Sequence, residues 1–141
     1  MALVIGKKES RIIPVEAKEP LDGDKVTLHK FDVEFEIIPR DLWSSMSERW
    51  EELAQQLRAS PDAMTGDDSK EAREPIWKIA KPYIRAIGPL LDDKKQPMEF
   101  TPELLDAILA EPWLQQPIAD AFMCVQLGLT NADYRKTRLK N

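Results

Sequence analysis

The chain contains one cysteine (Cys124), one histidine (His29) and five glycines against eleven prolines in 141 residues. A lone cysteine excludes a disulfide within the chain, and one Cys with one His cannot supply the ligands of a structural zinc site. So little glycine argues against a glycine-rich phosphate cradle. Long apolar runs are lacking as well. The N-terminal run Ala2-Leu3-Val4-Ile5 falls short of the roughly 7–15 residues of a signal peptide, and no stretch approaches the roughly 18–20 of a membrane span. The expectation is a protein of a reducing cytoplasm. An excess of positive charge is also missing: 20 bases against 25 acids give a net charge of −5, which argues against a general binder of nucleic acid or anionic membrane.

What is present suits one globular domain spanning 1–141. Hydrophobic residues make up 43% and charged residues 32%, too apolar for a wholly disordered chain. The first forty residues read as a β-hairpin over 12–38. Ile13, Val15 and Ala17 share one face of the first strand, and Pro14, which has no N–H, marks it as an edge. Pro20-Leu21-Asp22-Gly23-Asp24 is a turn signal. Phe31, Val33, Phe35 and Ile37 then alternate with Asp32, Glu34 and Glu36, the period of a strand with one buried and one acidic face. The parity differs upstream, where Val26 and Leu28 are the apolar members, and this predicts a bulge near His29-Lys30.

From Asp41 the period becomes helical, over a part spanning 41–128. Leu42, Met46, Trp50, Leu53 and Leu57 form a stripe widened by Trp43 and Ala54, predicting a helix over 41–59. Residues 60–74 hold almost nothing apolar and read as a mobile loop or a frayed helix entry. Pro75 opens a second predicted helix through Ile87, kinked at Pro82 and ended by Gly88-Pro89. Thr101-Pro102 is a strong helix start, with Thr101 as cap and Leu104, Leu105, Ile108 and Leu109 as its buried stripe. A last helix begins at Pro112 or Pro117, carries Ile118, Ala121, Phe122 and Val125, and stops at Gly128. The predicted class is α+β, a hairpin followed by a bundle of about four helices.

Motifs for chemistry are weak. Glu16-Ala17-Lys18 matches half of a metal-dependent nuclease site, but the upstream acid is Glu9 alone, and an alternating surface strand explains it. Gly6-Lys7-Lys8 reads as a flexible leader. Asp67-Asp68 and Asp92-Asp93 read as turn acids, since neither has the alternating acids of a calcium loop. His29 reads as a strand residue and Cys124 as a buried structural thiol. No catalytic residue, cofactor site or metal site is assigned. Charge is uneven: residues 101–133 carry five acids and no base, whereas the tail over 129–141 ends in Arg135, Lys136, Arg138 and Lys140.

From Ile84 the pattern becomes recognisable. Ile84-Arg85-Ala86-Ile87-Gly88 leads to the acidic turn Asp92-Asp93, and then to Gln96-Pro97-Met98-Glu99-Phe100-Thr101-Pro102-Glu103-Leu104-Leu105. Leu109-Ala110-Glu111-Pro112-Trp113 and Ile118-Ala119-Asp120-Ala121-Phe122 follow. This resembles the C-terminal half of phage tail assembly chaperones. The strand Lys30-Phe31-Asp32-Val33-Glu34-Phe35 running into an amphipathic helix is similar to their N-terminal half. The resemblance covers about Ile12 to Gly128 and is one of apolar pattern and turn chemistry.

The resemblance implies a non-enzymatic protein of the bacterial host cytoplasm that coats the tape measure protein, helps recruit the tail tube protein, and is absent from the finished virion. Amphipathic helices with Met and Trp suit such binding. The partner-binding candidates are Trp43, Met46, Trp113 and Phe122, with Arg135, Lys136, Arg138 and Lys140 on the basic tail. No membrane is implied as partner, nucleic acid is disfavoured, and a homo-oligomer is compatible. The competing classes are a structural tail or connector protein of the virion and a small nucleic-acid-binding regulator that uses the basic tail.

Overall fold

The structure, a computed structural model, describes residues 9–140, with side chains to Lys136. The leader before Glu9 and the side chains of Arg138 and Lys140 lie outside the described residues. Strands β1 (Ser10–Pro20) and β2 (Val26–Glu36) form an antiparallel hairpin, and β3 (Ile84–Gly88) joins the far side of β2. β1 is therefore an edge, as Pro14 predicts, and Gly23 takes the left-handed conformation of the turn with φ 71°. Ile13, Val15 and Ala17 face inward beside Phe31, Val33 and Phe35.

The predicted bulge near His29-Lys30 is absent. The β1–β2 register runs unbroken from Ser10↔Glu36 to Pro20↔Val26. Val26 and Leu28 stand instead on the outer face, exposed, because with an unbroken register the even-numbered residues of β2 alternate away from the face that carries Phe31, Val33 and Phe35. A bulge does occur on the other side of β2, where the register with β3 shifts between Glu34 and Phe35.

Helix α1 (Arg40–Ala59) matches its prediction and buries Trp43 and Leu53, while Leu42 stays exposed. The segment over 60–74, read as a mobile loop or a frayed helix entry, contains a short separate helix, α2 (Gly66–Ala72). Arg49 of α1 holds it through Asp68 at 3.0 Å and Glu71 at 3.3 Å, side-chain pairing that apolar periodicity does not reveal.

The second predicted helix is the main correction. Only Ile76–Ala80 is helical (α3); Lys81–Tyr83 tightens into a 3-10 turn and Ile84–Gly88 is β3. Pro82 cannot continue the α-helical hydrogen bonds. Ile84 and Ile87 are both buried although three residues apart, because the bulge places Arg85 between partners and turns both isoleucines inward. A helical spacing thus arises from a strand.

Helices α4 (Pro102–Leu109), α5 (Pro112–Leu127) and α6 (Asn131–Lys140) complete the chain. Thr101 caps α4, its Oγ1 accepting from Leu104 N–H at 3.1 Å. Helix α5 starts at Pro112 and carries Pro117 inside it, and Gly128 ends it in the left-handed conformation with φ 68°. α5 lies on the inner side of the sheet against β1, with α3 and α4 against α5. The core centres on Phe122, whose ring meets Phe35 at 5.8 Å, Trp43 at 6.0 Å and Tyr83 at 5.9 Å between centroids. The α+β class and the order of hairpin then helices hold, with a third strand inserted among the helices.

Candidate partner-binding surface

The junction of β2 and α1 is built on one buried polar side chain. Gln126, 8% exposed on the last turn of α5, accepts from Ile38 N–H at 2.9 Å and donates to the Glu36 carbonyl at 2.8 Å. These bonds satisfy backbone groups left over where the strand ladder ends and the helix has not begun. They fix the turn through Ile38-Pro39, and so the position of the N-terminus of α1 against the C-terminus of α5.

Beside that junction lies an open groove of about 800 Å³. Its apolar walls come from Ile37, Pro39, Trp43, Tyr83, Val125 and Leu127, and Arg11, Arg40 and Arg85 stand on it with Glu9 and Glu36. Arg85 pairs with Glu36 at 3.1 Å, and Arg11 donates to the Leu129 carbonyl at 2.8 Å. The outcome is an apolar trough edged by three arginines and two glutamates, a slight positive excess on a chain of net negative charge. Such a trough can seat the apolar stripe of a helix whose flanks are acidic.

The sequence-predicted binding residues do not form one site. Trp43 reaches this groove along one edge while its ring packs on Trp50 and Phe122. Phe122 is 0% exposed, so it is corrected from a partner contact to the centre of the core. Met46 lines a small hollow with Arg49, Trp50 and Glu71 on the far part of α1. Trp113 lies against the half of the hairpin nearer its turn, its ring 5.2 Å from that of His29. Arg135 and Lys136 are exposed on α6, so the basic tail begins as a helix.

The other singled-out groups have structural roles. His29 bonds Glu19 at 2.9 Å, and Glu16 lies 3.8 Å from Lys30 across the hairpin. Asp92 accepts from the backbone N–H groups of Lys94 and Gln96, closing its own turn. Cys124 is buried, with its thiol 3.5 Å from Asn131 Oδ1; burial pushes its pKa up, with the Asp120 carboxylate adding to the rise. Among the described residues, no three His, Cys, Asp or Glu side chains converge as a metal site, and no helix is long and apolar enough to cross a membrane.

Sequence reasoning missed Gln126, Tyr83, Leu127 and the three arginines of the groove. Gln126 stands where an amphipathic pattern expects solvent, and the arginines come from three separate segments. Compared with protein families, curated proteins and solved structures, the chain matches none.

Proposed function

We propose that this protein is a non-enzymatic assembly chaperone of a long phage tail, which holds apolar stripes of a tape measure protein in the groove beside the N-terminus of α1. The observation that carries this reading is the trough itself, with Pro39, Trp43, Tyr83 and Leu127 on its walls and Arg11, Arg40 and Arg85 beside them. The pattern resemblance from Ile12 to Gly128 supports the choice of partner. Burial of apolar area in such a trough contributes about 25 cal/mol per Å² before ordering costs. One contact of this kind is weak, and many along one long helix gain from multivalency. In this reading the protein works in the bacterial host cytoplasm, also assists docking of the tail tube protein, and leaves before the virion is finished.

The test is co-expression with a tape measure protein from the same phage or prophage. The expected result is more soluble tape measure protein and a complex on a sizing column. A tape measure protein that stays insoluble and elutes alone sinks the proposal. Stoichiometric presence in purified virions, read by mass spectrometry, would assign the chain to the permanent tail structure instead.

A further inference from the structure

The free edge of β1 has a property that the groove does not use. The ladder hydrogen bonds with β2 run through odd-numbered residues of β1: Ile37 N–H donates to the Glu9 carbonyl, and Leu21 N–H to the Lys25 carbonyl, in the same register. In an antiparallel pair the alternate residues direct their N–H and C=O groups away from the partner strand. The even-numbered residues Ile12, Pro14, Glu16, Lys18 and Pro20 therefore line the edge. The Pro14 carbonyl is taken by Asn131 Nδ2 at 2.7 Å, and Pro14 and Pro20 have no N–H to offer. Among the described residues no strand pairs with Glu16 and Lys18 on this side, and a trough of about 530 Å³ runs beside residues 14–18, between them and α5 and α6.

That short edge is complementary to itself. We propose that two copies of this chain pair their β1 strands antiparallel about a two-fold axis at Ala17, joining their sheets into one. In this register Glu16 faces Lys18 of the second copy and Lys18 faces its Glu16, so each pair combines two backbone hydrogen bonds with an opposite-charge contact. Moving the register by one step of the ladder sets Glu16 against Glu16 or Lys18 against Lys18, like charges directly opposed. Beyond the two pairs the strands part, because Pro14 and Pro20 have no N–H and Asn131 already holds the Pro14 carbonyl, so the prolines bound the ladder.

The apolar residues that face solvent fit the same arrangement. Ile12, 63% exposed, lies on the outer face at one end of β1, and Leu21 and Val26, 45% and 57% exposed, lie at the other. Antiparallel pairing carries Ile12 of one copy to the hairpin tip of the next. An exposed edge strand is ordinarily blunted by proline and charge; here the same devices leave a single window with a single register. A contact this short belongs with weak interfaces burying under about 1,200 Å².

Sedimentation equilibrium of the full chain between about 10 μM and 1 mM tests the proposal. The wild type is expected to form a reversible dimer. Glu16→Lys and Lys18→Glu each weaken it about tenfold, and the double exchange restores it to within about threefold. Lys18→Glu leaves the Glu16–Lys30 contact within the chain in place, so its effect is not a loss of that pair. Glu16→Pro removes an outward N–H and abolishes the dimer, while circular dichroism stays that of the wild type. A monomer throughout the range, or a double exchange no tighter than the single variants, overturns the proposal.

Discussion

Gln126 grips the backbone on both sides of the β2–α1 turn, accepting from Ile38 N–H at 2.9 Å while donating to the Glu36 carbonyl at 2.8 Å. Among the described residues it is the one polar side chain in the buried set, and it ties the end of the sheet to the last turn of α5. The groove depends on this tie, since its walls come from both sides.

Replacing this amide with an apolar side chain leaves a buried N–H and a carbonyl without partners. Gln126→Leu should lower stability by about 2–4 kcal/mol, read as a shift of the urea midpoint at unchanged slope. A loss below about 0.5 kcal/mol would mean that water replaces both bonds.

Phe122 makes the corresponding apolar test. Its ring touches Phe35, Trp43 and Tyr83, joining β2, α1 and the turn before β3 to α5. Phe122→Ala should cost about 3–5 kcal/mol in urea unfolding. An effect near 1 kcal/mol would show that the site collapses around the smaller side chain.

Burial pushes the Cys124 thiol above its ordinary value of 9.0. The native protein at pH 8 should react with a thiol reagent far more slowly than the urea-unfolded chain. The sign of the linkage follows: with the folded pKa raised, the contribution to stability is full below pH 9.0 and is lost as pH climbs toward the folded value. Cys124→Ala should remove that alkaline decline, and an unchanged slope in the variant would refute the assignment.

Arg49 bridges α1 to Asp68 and Glu71 of α2, and its hydrogen bond with Glu71 raises its pKa further. α2 buries no residue, so this pairing is its main anchor. Arg49→Ala should speed amide exchange across residues 66–72 while the global melting temperature stays nearly unchanged. Exchange at wild-type rates would show that the helix persists without the bridge.

Leu127 stands 42% exposed on the groove. Leu127→Glu should leave the urea midpoint within about 0.5 kcal/mol of wild type and reduce recovery of the tape measure complex. Arg40→Glu, which reverses charge on the same groove, should do likewise. Full recovery with both variants would move the binding surface elsewhere.

Local chemistry was legible wherever one signal acted alone. Pro14 marked the edge strand, Thr101 capped α4, Gly128 ended α5, and the alternation from Phe31 to Phe35 marked the buried face of β2. The errors fall where two signals compete. Ile84 and Ile87 have helical spacing, yet a bulge turns both to one face of a strand; Val26 and Leu28 suggested a shift of register, yet they simply stand on the outer face of an unbroken strand. Trp43 and Phe122 read as possible contacts, and packing placed the first at the margin of the core and the second at its centre.

The amino-acid pattern alone established an acidic α+β chain of hairpin and helices, with too few Cys, His and Gly for common metal, disulfide or phosphate chemistry, because composition and short-range period act within a few residues. The groove arose only on folding. Ile38 and Gln126 are 88 residues apart, and Arg11, Arg40 and Arg85 converge only once β3 has joined β2 and α5 has closed over the sheet. Contacts at that separation come from packing, which no local period encodes.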